Sequence, residues 1–224
     1  MPDDLMGFII AANNYYSEQL YIDALSEYQK ILWIDPESDL ALFQQGLCFY
    51  KLGYDVDAKS NFNKVLDINP DHYNSKYYLA LIEHQNNNFE KSIPLFLELL
   101  QYDSKNYELY NYLGDTYYEL DNLKLSLLAY KQSVQLNAYD AKIYYKMGII
   151  HEKLLNTDQA IKNYNQAINM DNNDNDLIYR LGMILYQDGQ YKKSLEYLRR
   201  YIMYKPKDLP VIQILANILY SLNR

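Results

Sequence analysis

The side chains best suited to chemistry in this sequence are three histidines, one cysteine and a run of acidic and amide residues. His72, His84 and His151 would have to converge to hold a metal such as zinc, and their spacing gives no ligand pattern of that kind. The run Asp171-Asn172-Asn173-Asp174-Asn175-Asp176 has the look of the opening of a calcium loop. It lacks the central glycine and the closing bidentate glutamate, so it reads as a solvated turn. Cys48 is the one cysteine, which rules out an intrachain disulfide and suits a small buried apolar residue. No HExxH, CxxC, GxSxG or phosphate-loop sequence occurs. The sequence therefore predicts no catalytic residue, no metal site, no cofactor and no enzyme.

Charge narrows the partners. The net charge is −8, which is the wrong sign for the phosphates of nucleic acid or for an anionic lipid surface. Residues 1–106 carry 16 acidic and 7 basic side chains, while residues 107–224 carry 13 and 14. The first half is thus suited to basic rather than acidic partners. The opening MPDDLMGFII has no basic region of a signal peptide, and no apolar stretch approaches the roughly 18 residues of a membrane span. These features predict a soluble, cytoplasmic protein without membrane insertion.

The elements that carry these side chains repeat. Ala12, Gly46, Ala80, Gly114, Gly148, Gly182 and Ala216 are all small and each follows the last by 34 residues. Ala24, Ala58, Ser92, Ser126, Ala160 and Ser194 form a second small series of the same period. Tyr28, Phe62, Phe96, Tyr130, Tyr164 and Leu198 follow one turn later. Pro36, Pro70 and Pro206 share a register with Ser104, Ala138 and Asn172. A fixed period of this length marks a repeat architecture.

Residues 39–72 show the unit. Leu42, Gly46, Phe49 and Tyr50 form one helical stripe, and Leu52-Gly53-Tyr54-Asp55 breaks it with glycine at a helix C-terminal position. Ala58, Phe62, Val65 and Leu66 form a second stripe, which Asn69-Pro70-Asp71 ends. Two such helices, each of about 14 residues, are too short to persist alone and must pack on their neighbours. The paired small residues let the two helices approach, and the aromatic fills the space between successive units. Leucine at either small position would overpack.

The pattern resembles the tetratricopeptide repeat (TPR), with repeats at 5–38, 39–72, 73–106, 107–140, 141–174 and 175–208 and a lone helix at 209–222. The resemblance implies an all-α, right-handed superhelical solenoid of antiparallel helix pairs, a single domain over 1–224. It departs from the family at Glu83 and His151, where a tyrosine is usual, and in lacking the family's tryptophan. Pro94 falls inside a second helix, where a mild kink or an early-turn placement is expected rather than a break. Solenoids that read RNA are set aside because the period never becomes 35 and the chain is acidic.

The resemblance further implies a non-enzymatic protein–protein interaction scaffold or adaptor, whose first helices line a concave groove for a protein or peptide. Carried onto this chain, the groove residues are Phe43, Tyr50, Tyr77, Tyr78, Tyr112, Asp115, Lys142, Tyr145, Lys146, Tyr179, Arg180 and Tyr186, with His84 facing it too. Tyrosine presents a large apolar face and a polar tip and loses little freedom on binding. General enrichment is the alternative, since the chain has 27 Tyr and 6 Phe, and Tyr15, Tyr28, Tyr117 and Tyr130 are expected in the packing. Lys142, Lys146 and Arg180 would offer an acidic segment a cationic stretch, unless Glu152 and Asp176 neutralise them. Lys142 and Lys146 match part of the family's clamp for chaperone C-termini, but Tyr77, Leu81 and Tyr112 stand where its other members belong. Finally, Val211, Ile212, Ile214, Leu215, Ile218, Leu219 and Leu222 cover too wide an arc for one buried face. That arc makes a self-associating scaffold, or a TPR fragment of a larger protein, the rival reading, with residues 209–222 as the joint of a homo-oligomer.

Overall fold

A computed structural model describes residues 3–137, 139–171 and 173–223. Of the turn series above, Ala138 and Asn172 lie outside the described residues, as do Met1, Pro2 and Arg224. The described residues form thirteen helices and no strand, in two compact units, Met1–Lys105 and Asn106–Arg224.

The first unit holds α1 (Asp3–Ser17), α2 (Tyr21–Ile34), α3 (Asp39–Leu52), α4 (Asp55–Ile68), α5 (Tyr73–Gln85) and α6 (Phe89–Tyr102). Each odd helix packs on the even helix that follows it, and α2 on α3 and α4 on α5 join the pairs. Tyr28 and Ile31 share a core with Ala41 and Cys48 of the next pair, and Phe62 does the same with Leu79 and Ile82. Helix α6 runs unbroken through Pro94, its sixth residue.

The second unit holds α7 (Tyr107–Glu119), α8 (Leu123–Leu136), α9 (Ala141–Lys153), α10 (Thr157–Met170), α11 (Asn175–Gln187), α12 (Tyr191–Tyr204) and α13 (Leu209–Leu222). Packing follows the same order, with α13 seated on α12.

Three local devices make these pairs. The first is the seat at the small residue. A Cβ on Gly114 or Gly148 would lie 2.3 Å from the ring of Tyr130 or Tyr164, and one on Gly46 would lie 2.7 Å from Phe62. The aromatic therefore lies on the small residue of its own repeat as well as in the core shared with the next. Ser126 and Ser194 hold the seat from the side, their hydroxyls donating to Gly114 O and Gly182 O at 2.7 Å.

The second device starts every first helix from α3 onward. Ser38, His72, Asn106, Asp140, Asp174 and Asp208 accept backbone N–H groups of the first turn. Each satisfies donors that the helix itself leaves open. These residues also keep the 34 period. The third device lies between the two helices of a pair, where Gln19, Gly53, Asn87, Asp121, Leu155 and Gly189 adopt positive φ.

Turns between repeats are closed by a side chain. Asp35, Asn69, Asp103, Asn137 and Asp171 each accept the backbone N–H two residues on, and end the preceding helix. The acidic run at 171–176 is accounted for in this way: Asp171 closes a turn and Asp174 caps α11.

One packing expectation fails. Tyr15 is 37% exposed, not packed. Its register position is occupied in later repeats by residues that face the preceding second helix, as Glu83 does with Lys59 at 3.0 Å. The first repeat has no such helix among the described residues. Tyr28 and Tyr130 are buried and Tyr117 is half-buried.

Candidate functional site

The histidines are dispersed by the fold. His72 caps α5 through Nδ1 and lies 4.9 Å from the ring of Phe43. His84 packs against Phe89 and Phe96. His151 is buried in the helix packing, where burial and the charge of Lys131 lower its pKa and keep it neutral. Among the described residues no three His, Cys, Asp or Glu side chains stand together as a metal site.

In the first unit the chain gathers four of the expected groove residues. Tyr78 on α5 stacks on Phe62 at 5.6 Å, and Phe43 and Tyr50 of α3 approach it to 6.1 and 5.3 Å. Tyr77 meets Tyr78 edge-on at 5.6 Å. Gln85 donates to the Tyr50 hydroxyl at 3.0 Å, linking α5 to α3 at the other end. All four aromatics are half-buried.

In the second unit the expected residues enter a polar network. Lys146 on α9 pairs with Asp115 on α7, which also accepts from the Tyr130 hydroxyl. Arg180 on α11 donates to the Tyr145 hydroxyl at 2.9 Å and to Asp176 at 3.1 Å, and its Nη1 lies 3.4 Å from Glu152. Tyr145 donates to Asp176, and Tyr164 donates to Glu152. Burial and the hydrogen bond to Asp176 push the Tyr145 phenol up to about 12, so it stays a neutral donor. Burial would raise Asp176, but its bonds from Tyr145 and Arg180 outweigh this and hold its carboxyl below the usual range.

The three cations are thus not equivalent. Asp176 and Glu152 neutralise Arg180 as weighed from the sequence, but the partner of Lys146 is Asp115, on α7, the first helix of the preceding repeat. Lys142 is exposed and, among the described residues, makes no ion pair. The aromatic contacts of Tyr179 and Tyr186 are to Tyr201 and Tyr191 of α12, at 4.8 and 5.8 Å. Tyr112 is half-buried on α7.

The cross-repeat pairs carry a spacing that the residue types alone did not reveal. Asp115–Lys146 and Tyr145–Asp176 are 31 residues apart, and Tyr50–Gln85 and Tyr145–Arg180 are 35. With a 34-residue period, neighbouring first helices meet at one period less three or plus one. Opposite charges at those offsets were the signal to look for.

Two tetratricopeptide repeat family models match the sequence, one over residues 56–104 and 85–141 and the other over 156–218. This chain is a tetratricopeptide repeat protein. Proteins built of these repeats are generally non-enzymatic interaction scaffolds, and their partners are proteins or peptides. Among solved structures, MamA from residue 41 to its end, from Desulfovibrio magneticus RS-1, superposes with a TM-score of 0.72 at 17% identity, covering 78% of this chain and 98% of MamA. YrrB, described as a TPR protein with an unusual peptide-binding site, gives 0.69 at 18% identity over 83% of this chain and 96% of YrrB. PilF of Pseudomonas aeruginosa gives 0.71 at 15% identity over 96% and 98%. At such identities the likeness is one of fold. No curated protein matches the sequence significantly. Among the described residues no helix of this TPR protein is long and apolar enough to cross a membrane.

Proposed function

We propose that this TPR chain is an adaptor that holds an extended or helical peptide segment of a partner against the tyrosine-rich face of its first helices. The observation that carries the reading is the cluster Phe43, Tyr50, Tyr77 and Tyr78: four half-buried aromatics from two neighbouring first helices, with no ionised side chain among them. Rings already fixed by their neighbours lose little freedom when a ligand stacks on them. Tyr112, Tyr145, Tyr179 and Tyr186 are tyrosines on first helices of the second unit. Lys142 is the cation available to an acidic side chain of the ligand, whereas Lys146, Arg180 and Asp115 order the surface around it. YrrB, a structural neighbour, is described as having a peptide-binding site.

The test is selection of binders from a random peptide library displayed on phage, followed by titration of the synthetic peptides. Replacing Tyr50 and Tyr77 together with alanine should weaken binding more than ten-fold, about 1.4 kcal/mol or more. Wild-type affinity in a folded double variant would sink the tyrosine face as the binding surface.

A further inference from the structure

Lys192, Lys193, Arg199 and Arg200 on α12, with Lys205 and Lys207 in the turn after it, put six cations at six register positions of the 34-residue unit. No other repeat has more than two cations at those positions, and the repeat before has none, only Asp158 and Asp171. From Tyr191 to Lys207 the one acid is Glu196. The register positions of Lys192, Lys193, Met203, Tyr204 and Lys207 are exposed in all six repeats. This surface therefore owes its exposure to the repeat itself and not to its place along the chain.

Lys205 shows that the charge does not serve the fold. At its position Asp35, Asn69, Asp103, Asn137 and Asp171 close the turn by accepting an N–H two residues on. Lysine has no acceptor, so this turn rests on the backbone bond from Asp208 N to Lys205 O at 3.2 Å. Lys205 lies 5.8 Å from the Tyr201 ring, and Lys193 donates to Gln190 at 2.9 Å. Among the described residues no ion pair engages Lys192, Arg199, Lys205 or Lys207.

Cations gathered on one surface repel one another. A single exposed ion pair contributes little, but several together set up a field that an acidic ligand relieves. Lys192, Glu196, Arg199 and Met203 follow i, i+4, i+7, i+11 spacing along one stripe. Met203 and the adjacent Tyr204 are 81% and 58% exposed, which adds apolar contact to the charge. We propose that this face of α12 and its turn binds an acidic segment of a partner protein, with apolar side chains interspersed among its carboxylates. Nucleic acid and anionic membranes share the charge but extend past the patch, to meet the rest of a chain whose net charge is −8. The site lies on a second helix, apart from the tyrosine face, and stands or falls without it.

The experiment is fluorescence anisotropy of the full chain with a labelled twelve-residue peptide of repeating Glu-Glu-Leu. The peptide should bind, more weakly as salt rises, and a Gln-Gln-Leu peptide should bind roughly ten-fold or more weakly. Arg199→Glu with Lys205→Glu should cost a similar factor and leave the thermal melt unchanged, since both positions are exposed. Arg199→Gln with Lys205→Gln, a milder pair, should weaken binding in the same direction. Lys124→Glu with Lys131→Glu on α8 makes the same change in net charge as the first pair and should leave affinity within about two-fold. Lys142→Glu should leave it unchanged, which separates this site from the tyrosine face. Failure of the acidic peptide to bind overturns the proposal. So does affinity that survives both α12 pairs, or an equal loss from the α8 pair or from Lys142→Glu. Tighter binding of a single-stranded oligonucleotide or of phosphatidylserine vesicles than of the peptide would assign the face to phosphate and overturn it too.

Discussion

The ring of Tyr130 rests on Gly114 with no room between them: a Cβ there would stand 2.3 Å from its Cε1 and 2.4 Å from its Cδ1. Tyr130 is buried and its hydroxyl is tied to Asp115, so the ring cannot swing aside. Alanine gains about 1 kcal/mol over glycine in a helix interior, which partly offsets a small clash. Leucine brings a whole side chain into the seat. Gly114→Leu should therefore lower stability by about 2–4 kcal/mol, read from denaturant unfolding followed by circular dichroism. An unchanged midpoint would mean the seat is not where these two helices are held.

Leu155 makes the opposite case. It holds φ at 56° and is 88% exposed, so it bears the steric cost of a left-handed backbone without the contacts that would offset it. That conformation costs a residue with a Cβ roughly 1–2 kcal/mol, and glycine returns some of the gain as unfolded-chain entropy. Leu155→Gly should stabilise the protein by about 0.5–1 kcal/mol. Gly189→Leu, in the same position of the next repeat, should destabilise it. A lower unfolding midpoint for Leu155→Gly would count against strain at this residue.

Charge reversal separates the lysines. Lys146→Glu sets a third acidic or acceptor group beside Asp115 and the Tyr130 hydroxyl, and should lower the melting temperature. Lys142→Glu, on an exposed side chain, should leave the melt within about 0.5 kcal/mol of wild type. For a selected peptide with an acidic residue, Lys142→Glu should flatten the salt dependence of binding. Equal melts for the two variants would count against a structural role for the Lys146–Asp115 pair.

Acid should act at Glu83. Burial alone would raise its pKa, but hydrogen bonds from Lys59 and Asn88 outweigh that and hold it below the usual carboxylate value. A folded-state value below the unfolded one adds stability above the unfolded pKa, and that contribution is lost as pH falls through the folded value. Glu83→Gln should then melt below wild type at pH 7, with the gap closing in acid below the usual carboxylate range. Melts of both proteins across that range check it, and a gap that widens toward acid would reverse the sign.

The helix pairs were legible in the sequence because the small and aromatic series report the closest contact in each repeat. Volume is the one property that contact cannot trade. The terminal helix could be read from the same register, since Leu209–Leu222 begins and ends where the pattern placed it. The caps were harder to see. Ser38, His72, Asn106 and the three aspartates do one job with four residue types, so identity hides the period that hydrogen bonding keeps. The Asp115–Lys146 pair was missed for another reason. Asp115 and Lys146 become neighbours only through the stacking of α7 and α9, and charge read along one helix cannot show it.

The start and stop devices recur with each repeat. Every 34-residue segment from 39 to 174 brings its own cap, left-handed joint and helix-ending turn. A duplicated segment would therefore arrive complete, and would find on both sides surfaces of the kind it had left. Growth by copying costs such a chain little redesign within, and the novelty is confined to the residues that look outward.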